Sequence, residues 1–431
     1  MSNSTFAGRE DGSEKSPKNT SLTDNKKAKR KSEGYKVFRE KKLNEVFLFV
    51  TSRCNSRCKT CFYHDFLNSN QDMTFEQIKH LSETAPDFRK LWLSGGEPFL
   101  RNELAEIIKL FYDNNHIKEI NLPTNGLSTE RIVEKTGKIL EYCPDLQVHL
   151  NFSLDGLGKT HDKIRGVPGN FKKTIRTMEL VKEKYGDNPN LLINVATVIT
   201  PEGYHEAFDL GVYLLKKELI STQFFEIIRG DTKDPSVKNL TTEQIRELRR
   251  KVYPLIAEHA KILFKHFKGA KRKIAEVYYL GFVRFLNNIQ DANFEGPSDW
   301  KMRCTAGETT IVFDHNGDFR SCEMREPIGN MRDYDYDLTK AFKSDRMKQE
   351  IEEIGGGKKA NCWCTHGCWI TSSLLFSPRS LLFRLPWAYH KAKGDLIDDF
   401  KLPDIDTEAI ENYEVEPLTK EVALSGTEVD R

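Results

Sequence analysis

Between Asn44 and Gly230, short apolar or β-branched runs alternate with longer segments of helical period. The runs Val46–Val50, Lys90–Leu93, Glu119–Leu122, Val148–Phe152, Leu192–Val198 and Gln223–Ile228 read as strands. Thr74–Ala85, Glu103–Asn114, Thr129–Glu141, Phe171–Tyr185 and Glu206–Lys217 read as the helices between them. Six strand-then-helix steps predict a parallel sheet with helical crossovers, in a barrel-like or a doubly wound α/β domain. Polar, glycine-rich stretches follow the strands directly: TSRC, SGGEP, PTNG and SLDG. Four strand ends thus share one chemical face, as the loops of a (β/α) barrel do.

Outside this rhythm the pattern changes. Residues 1–43 hold almost no large apolar side chains before about residue 35 and predict a mostly disordered tail. Residues 241–292 predict helix throughout, opened by a capping signature at Thr242-Glu243, within a connector spanning 231–299. Lys261–Lys273 in that stretch carries six positive charges and no acid, which reads as a solvated helix face rather than a docking surface. TTIVFDHNGDFRSC has two β-runs around Asn316-Gly317 and predicts a two-residue hairpin. The apolar segment 373–389 is interrupted by Pro378 and Pro386 and predicts a cap on the fold, contact with a membrane interface being the weaker alternative. From Lys401 the chain is acidic and predicts a disordered end to a C-terminal cap and tail, 371–431. No internal repeat or Walker-type phosphate loop is present.

Composition narrows the function. The 66 basic residues nearly balance 64 acidic ones, so bulk charge gives no argument for nucleic acid. The first residues lack the apolar core of a signal peptide, and no uncharged apolar run reaches the length of a membrane span. Nine cysteines in such a chain point to the reducing cytoplasm, where clustered thiols more often bind metal than form disulfides.

Cys54, Cys58 and Cys61 have the spacing C-x3-C-x2-C directly after the first strand. Three thiolates leave one iron of a four-iron cluster without a protein ligand, hence open to an exogenous molecule. A closed zinc site would need a fourth ligand, for which His64 is the local candidate. Cys143 precedes the fourth strand, on the face opposite the motif loops, and reads as a small buried hydrophobe.

This spacing, followed in order by Ser94-Gly95-Gly96-Glu97-Pro98, Thr124-Asn125-Gly126, Ser153-Leu154-Asp155-Gly156 and His161–Gly166, resembles the radical S-adenosylmethionine (radical SAM) superfamily. The resemblance implies a partial (β/α)6 barrel at 44–230. It implies that a [4Fe-4S] cluster on Cys54, Cys58 and Cys61 binds SAM, with Gly95, Gly96, Glu97 and Pro98 at the methionyl amino group, and Asn125 in a recurrent turn. Ser153 would contact the ribose and Arg165 the methionyl carboxylate, which a planar guanidinium suits. The position before Cys61, often aromatic in the family, is Thr60; Phe62 or Tyr63 is left to pack on the adenine. Cleavage of SAM would yield a 5′-deoxyadenosyl radical that abstracts a substrate hydrogen.

Cys304, Gly317 and Cys322 match the first half of the SPASM/twitch pattern, and Cys364-x3-Cys368 resembles a later pair. The resemblance implies a small hairpin-plus-helix domain at 300–370 with one auxiliary [4Fe-4S] cluster on Cys304, Cys322, Cys364 and Cys368, Cys362 being the alternate ligand. Structural zinc is the competing reading of these residues. Phe225–Gly230 ends the sixth strand with Glu226 and Arg229, a salt bridge closing the barrel or a substrate contact. Together these imply an oxidoreductase or C–H functionalising enzyme acting on an unidentified peptide or small molecule, with a flavodoxin or ferredoxin-type electron donor. The competing class is a non-catalytic iron-sulfur carrier or a zinc-stapled interaction protein.

Overall fold

The computed structural model describes residues 42–298, 300, 302–355, 362–396 and 400–415. The expected N-terminal tail, apart from Lys42 and Leu43, and the chain end after residue 415 lie outside them. Six parallel strands follow the predicted rhythm: β1 Glu45–Thr51, β2 Lys90–Gly95, β3 Glu119–Thr124, β4 Gln147–Ser153, β5 Leu191–Ile199 and β6 Thr222–Ile227. The crossovers carry α1 Phe75–Thr84, α2 Leu104–Asn115, α3 Thr129–Tyr142, α4 Gly158–Arg165, α5 Asn170–Tyr185 and α6 Ala207–Lys216. The strands alternate in the way a sheet with two different faces requires. Val46, Leu48, Val50, Leu91, Leu93, Ile120, Leu122, Val148, Leu150 and Phe152 point outward into one core with the helices. Phe47, Phe49 and Trp92, in the opposite register, face inward and join a second core. Thr74 caps α1 reciprocally with Gln77, which fixes where that helix begins.

The sheet does not stop at the barrel. Its order is β6-β5-β4-β3-β2-β1-β7-β8-β9, with β7 Thr310–Phe313 lying parallel to β1 and β8 Asp318–Arg320 and β9 Gly329–Asn330 antiparallel beyond it. The predicted hairpin is therefore an extension of the barrel sheet. Its loop has three residues, His315 to Gly317, rather than two: Asp314 still pairs with Asp318, and Gly317 takes the left-handed conformation (φ +87°) that closes such a turn.

The connector is two helices, α7 Thr242–Leu263 and α8 Gly269–Glu295, broken at residues 264–268 where one continuous helix was expected. The cap of α7 is Thr241 with Gln244, one residue earlier than the predicted signature. After the hairpin come α9 Leu338–Phe342, α10 Asp345–Ile354 and α11 Gly367–Leu375.

Of the two prolines in 373–389, Pro378 follows a break at Phe376 and Ser377 after α11, whereas Pro386 makes none. Pro378 opens a helical stretch, and a π-turn at Ser380–Arg384 leads into α12 Leu385–Ala392. The wide turn bonds Leu385 N–H to Ser380 O, which leaves room for Pro386, whose ring has no donor to satisfy. Beyond Lys401, the described residues as far as 415 are seated on the barrel. They form α13 Thr407–Glu411, Glu411 accepts from the Tyr213 hydroxyl at 2.8 Å, and the Tyr413 hydroxyl donates to Asp162 at 2.7 Å.

Candidate active site and cysteine centres

The four motif loops meet at the carboxyl ends of β1 to β4 and are stitched together by backbone contacts. Gly96 N–H donates to Thr51 O at 2.8 Å and Glu97 N–H to Arg53 O at 2.7 Å. A Cβ on Gly96 would lie 2.1 Å from Arg53 O, and Gly95 has φ +122°, so both glycines are required for this approach. Glu97, 2% exposed, accepts the N–H of Phe99 at 3.2 Å and of Asn125 at 2.7 Å. Burial pushes its carboxyl up to about 7 against those hydrogen bonds. Pro98 starts a buried 3-10 turn behind it. The Asn125 side chain donates to Asn55 Oδ1 at 2.8 Å, tying the third loop to the cysteine loop.

The helix α4, absent from the sequence reading, fixes the rest. Arg57 and Lys59 N–H groups donate to Arg165 O and Ile164 O at 3.1 and 2.9 Å, and Ser56 Oγ also reaches Arg165 O. The Arg165 guanidinium pairs through Nε with the fully buried Asp155 at 2.8 Å and reaches the Cys58 sulfur at 3.5 Å through Nη1. His161 is held neutral by burial, its pKa pushed down to about 3, and accepts the Asp155 N–H on Nδ1 at 3.1 Å. Ser153 closes β4, half-buried. Tyr63 is consumed by the core, with its hydroxyl 2.5 Å from His315 Nδ1 and its ring on Phe49, which leaves Phe62 as the aromatic at the mouth.

Among the described residues no three His, Cys, Asp or Glu side chains close on one metal position. His64, the candidate zinc ligand, instead contacts Cys61 O through Nδ1 at 3.1 Å. Burial drives the Cys54 thiol well above the usual range, with Cys58 adding to it, and drives Cys61 up to about 11. Cys54 and Cys61 each receive the backbone N–H two residues on, from Ser56 and Tyr63. Such N–H···S bonds favour a thiolate that a metal would hold.

The second group surrounds a cavity of about 210 Å³ lined by Cys304, Cys322, Cys362 and Cys364 together with Trp300 and Trp369. Cys304, Cys322 and Cys364 repeat the same N–H···S arrangement with Ala306, Met324 and His366, and burial raises all three thiols. Cys362 contacts Arg325, which offsets part of the effect of burial. Cys368 does not line this cavity: its charged neighbours are Arg229, Glu226, Glu323 and Lys90, on the barrel side of α11. Cys143 is fully buried at the end of α3, at the opposite end of the strands.

Two features escaped sequence reasoning. Arg229 pairs with Glu323 at 2.9 Å rather than with Glu226, and Glu323 also meets His366 at 2.5 Å. On the inner face of the barrel, Asn151 donates to Asn121 at 3.3 Å and Asn194 to Asn151 at 3.0 Å. The buried Nδ2 of Asn121 and Oδ1 of Asn194 have no partner in this ladder. Asparagines in the inward register of strands that are otherwise apolar were the available signal.

The fold and the site define an α/β protein with a three-cysteine loop at the carboxyl end of its parallel sheet. A family model described as the radical SAM superfamily matches residues 48–210. Over those residues the chain is similar to that superfamily, and its sheet runs on past the match through β7, β8 and β9. Among curated relatives, the GTP 3',8-cyclase of Clostridium perfringens (strain SM101) is 24% identical over 258 residues, 58% of this chain and 75% of that protein. The GTP 3',8-cyclase of Clostridium botulinum (strain Hall) is 28% identical over 306 residues, 68% of this chain and 85% of that protein. Among solved structures, native anSMEcpe with bound AdoMet aligns with a TM-score of 0.53 at 16% identity, covering 81% of this chain and 99% of that one. This last likeness concerns the fold alone. Among the described residues no helix is long and apolar enough to cross a membrane.

Proposed function

We propose that Cys54, Cys58 and Cys61 hold a [4Fe-4S] cluster that binds SAM, and that the enzyme removes a hydrogen atom from a peptide or small-molecule substrate, leading to its oxidation or to bond formation. The observation that carries this reading is the joining of the four loops: Gly96 on Thr51, Glu97 on Arg53 and Asn125, Asn125 on Asn55, and Arg165 on Cys58. The group supplies, when bound, a 5′-deoxyadenosyl radical. The chain's own residues bind and orient. Gly95, Gly96 and Pro98 shape a loop whose carbonyls suit the methionyl ammonium, while Glu97 acts chiefly as the clasp between two loops because backbone N–H groups occupy both its oxygens. Arg165 is held by Asp155 along one edge and presents the other to a carboxylate. Ser153 faces the ribose and Phe62 the adenine. The asparagine ladder supplies polar contacts for substrate in the barrel.

In the same reading an auxiliary [4Fe-4S] cluster occupies the second cavity, and the cavity favours Cys362 over Cys368 as the fourth ligand beside Cys304, Cys322 and Cys364. Thiols raised by burial are costly as free thiolates and inexpensive as metal ligands. A flavodoxin or ferredoxin-type protein of the cytoplasm serves as electron donor. The test is anaerobic reconstitution with iron, sulfide, reductant and SAM, followed by assay for 5′-deoxyadenosine. Its formation in the wild type and its loss in the Cys54, Cys58 and Cys61 triple alanine variant are expected. Iron-loaded protein that makes none would sink the proposal.

A further inference from the structure

Leu382, Phe383 and Trp387 are 60%, 68% and 60% exposed, more than any other large apolar side chain among the described residues. They are not on a loose tail. Ser380, Leu385, Ala388 and Ala392 of the same helical stretch are buried, and the backbone lies so close to α8 that a Cβ on Gly281 would come within 2.2 Å of Leu385 O. The helix is thus clamped on its inner face and presents the three side chains outward from a firm base. A monomeric protein rarely leaves such a group in water without a use.

The charge around the group selects the occupant. The chain has 64 acidic residues among 431, yet none between Glu353 and Asp395, while Arg379, Arg384, Lys391 and Lys393 fall in and beside the exposed helix. Lys391 lies over the Trp387 ring at 5.5 Å, so a cation and an indole share one edge of the apolar face. α8, packed alongside, adds Ile274 at 57% and Tyr278 at 37% exposure, and Lys271, Arg272 and Lys273 at its start. Leucine, phenylalanine and tryptophan on one face, fringed by cations, with the one acid of the α8 edge, Glu276, already paired with Arg272 at 2.8 Å, match the two layers of an anionic bilayer surface: acyl boundary and headgroup.

We propose that the helical segment 378–391 docks the enzyme on an anionic lipid surface, lying in the interface without crossing it. This inference does not depend on the catalytic reading. The test is flotation of the full iron-loaded chain with phosphatidylcholine vesicles, with and without about 30% phosphatidylglycerol. Binding to the anionic vesicles and little to the neutral ones is expected. Arg379→Gln or Lys391→Gln should each weaken it about fivefold, and Phe383→Ser with Trp387→Ser by more than about tenfold, with iron content and melting temperature unchanged. Absence of flotation, or flotation unaffected by the double serine variant, would overturn the proposal. So would a wild-type dimer that the double variant converts to monomer, since a second copy would then be what covers the face.

Discussion

The Arg229 guanidinium donates to Glu323 at 2.9 Å while its face covers the ring of Phe62 at 5.0 Å. Phe62 follows Cys61 and Glu323 follows Cys322, so one side chain spans from the first cysteine loop to the second. Burial acts to raise the Glu323 carboxyl, but His366 and Arg229 overcome it and hold it down at about 2. Replacing Arg229 by Ala leaves a buried carboxylate short of a partner, at a cost of about 3 kcal/mol. Glu323→Gln in the same chain should restore most of that stability. A double-mutant cycle by urea denaturation measures the coupling; additive effects would show that the pair is not energetically joined.

A parallel cycle applies to Arg165. Because Asp155 is fully buried, Arg165→Ala should cost roughly 3–5 kcal/mol of stability in addition to weakening SAM binding. Arg165→Ala with Asp155→Asn should recover stability and leave SAM affinity low. Equal recovery of both would mean that the arginine acts only through the fold.

The auxiliary ligand set is read by iron counting. Cys304→Ala, Cys322→Ala, Cys362→Ala or Cys364→Ala should each drop the reconstituted protein from about eight irons to about four, whereas Cys368→Ala should keep about eight. The reverse result for Cys362 and Cys368 would return the site to the C-x3-C pair.

Glu97 predicts a pH effect of definite sign. Its folded pKa of about 7 lies above the ordinary 4.5, so between those values the folded chain binds more protons than the unfolded one. Stability should therefore fall as pH rises from about 4.5 to about 7, by on the order of 3 kcal/mol from this group, and then level off. Melting temperatures of the metal-free protein across that range, wild type minus Glu97→Gln, isolate the effect. Parallel curves would refute it.

The six strands were legible because β-branched and apolar residues recur between turn residues. SGGEP, PTNG and SLDG were legible as strand-end loops because close backbone approach leaves few residue choices, and the cysteine loop because three cysteines fall within eight residues. What stayed hidden depends on contacts distant in sequence. Nothing local marks Thr310–Phe313 as a neighbour of β1, since any short apolar strand looks alike until its partner is known. Arg229 was read against Glu226, three residues away, while its partner is Glu323. Cys362 lines the second cavity and Cys368 does not, a difference that spacing does not encode. Pro386 looked like a helix breaker, and the π-turn that accommodates it lies where Leu385 O packs against Gly281, a contact distant in sequence.

The pairing of β7 with β1 also orders the chain in time. Glu45 lies opposite Thr310, so the first strand made waits for most of the chain before its second neighbour exists. Until then a growing polypeptide carries β1 as a bare edge of seven residues, EVFLFVT, whose unpaired amides can template another strand. Contacts so remote in sequence also form slowly. During synthesis the loop of Cys54, Cys58 and Cys61 thus hangs from an unprotected edge, and chains released before Thr310 should aggregate through that strand.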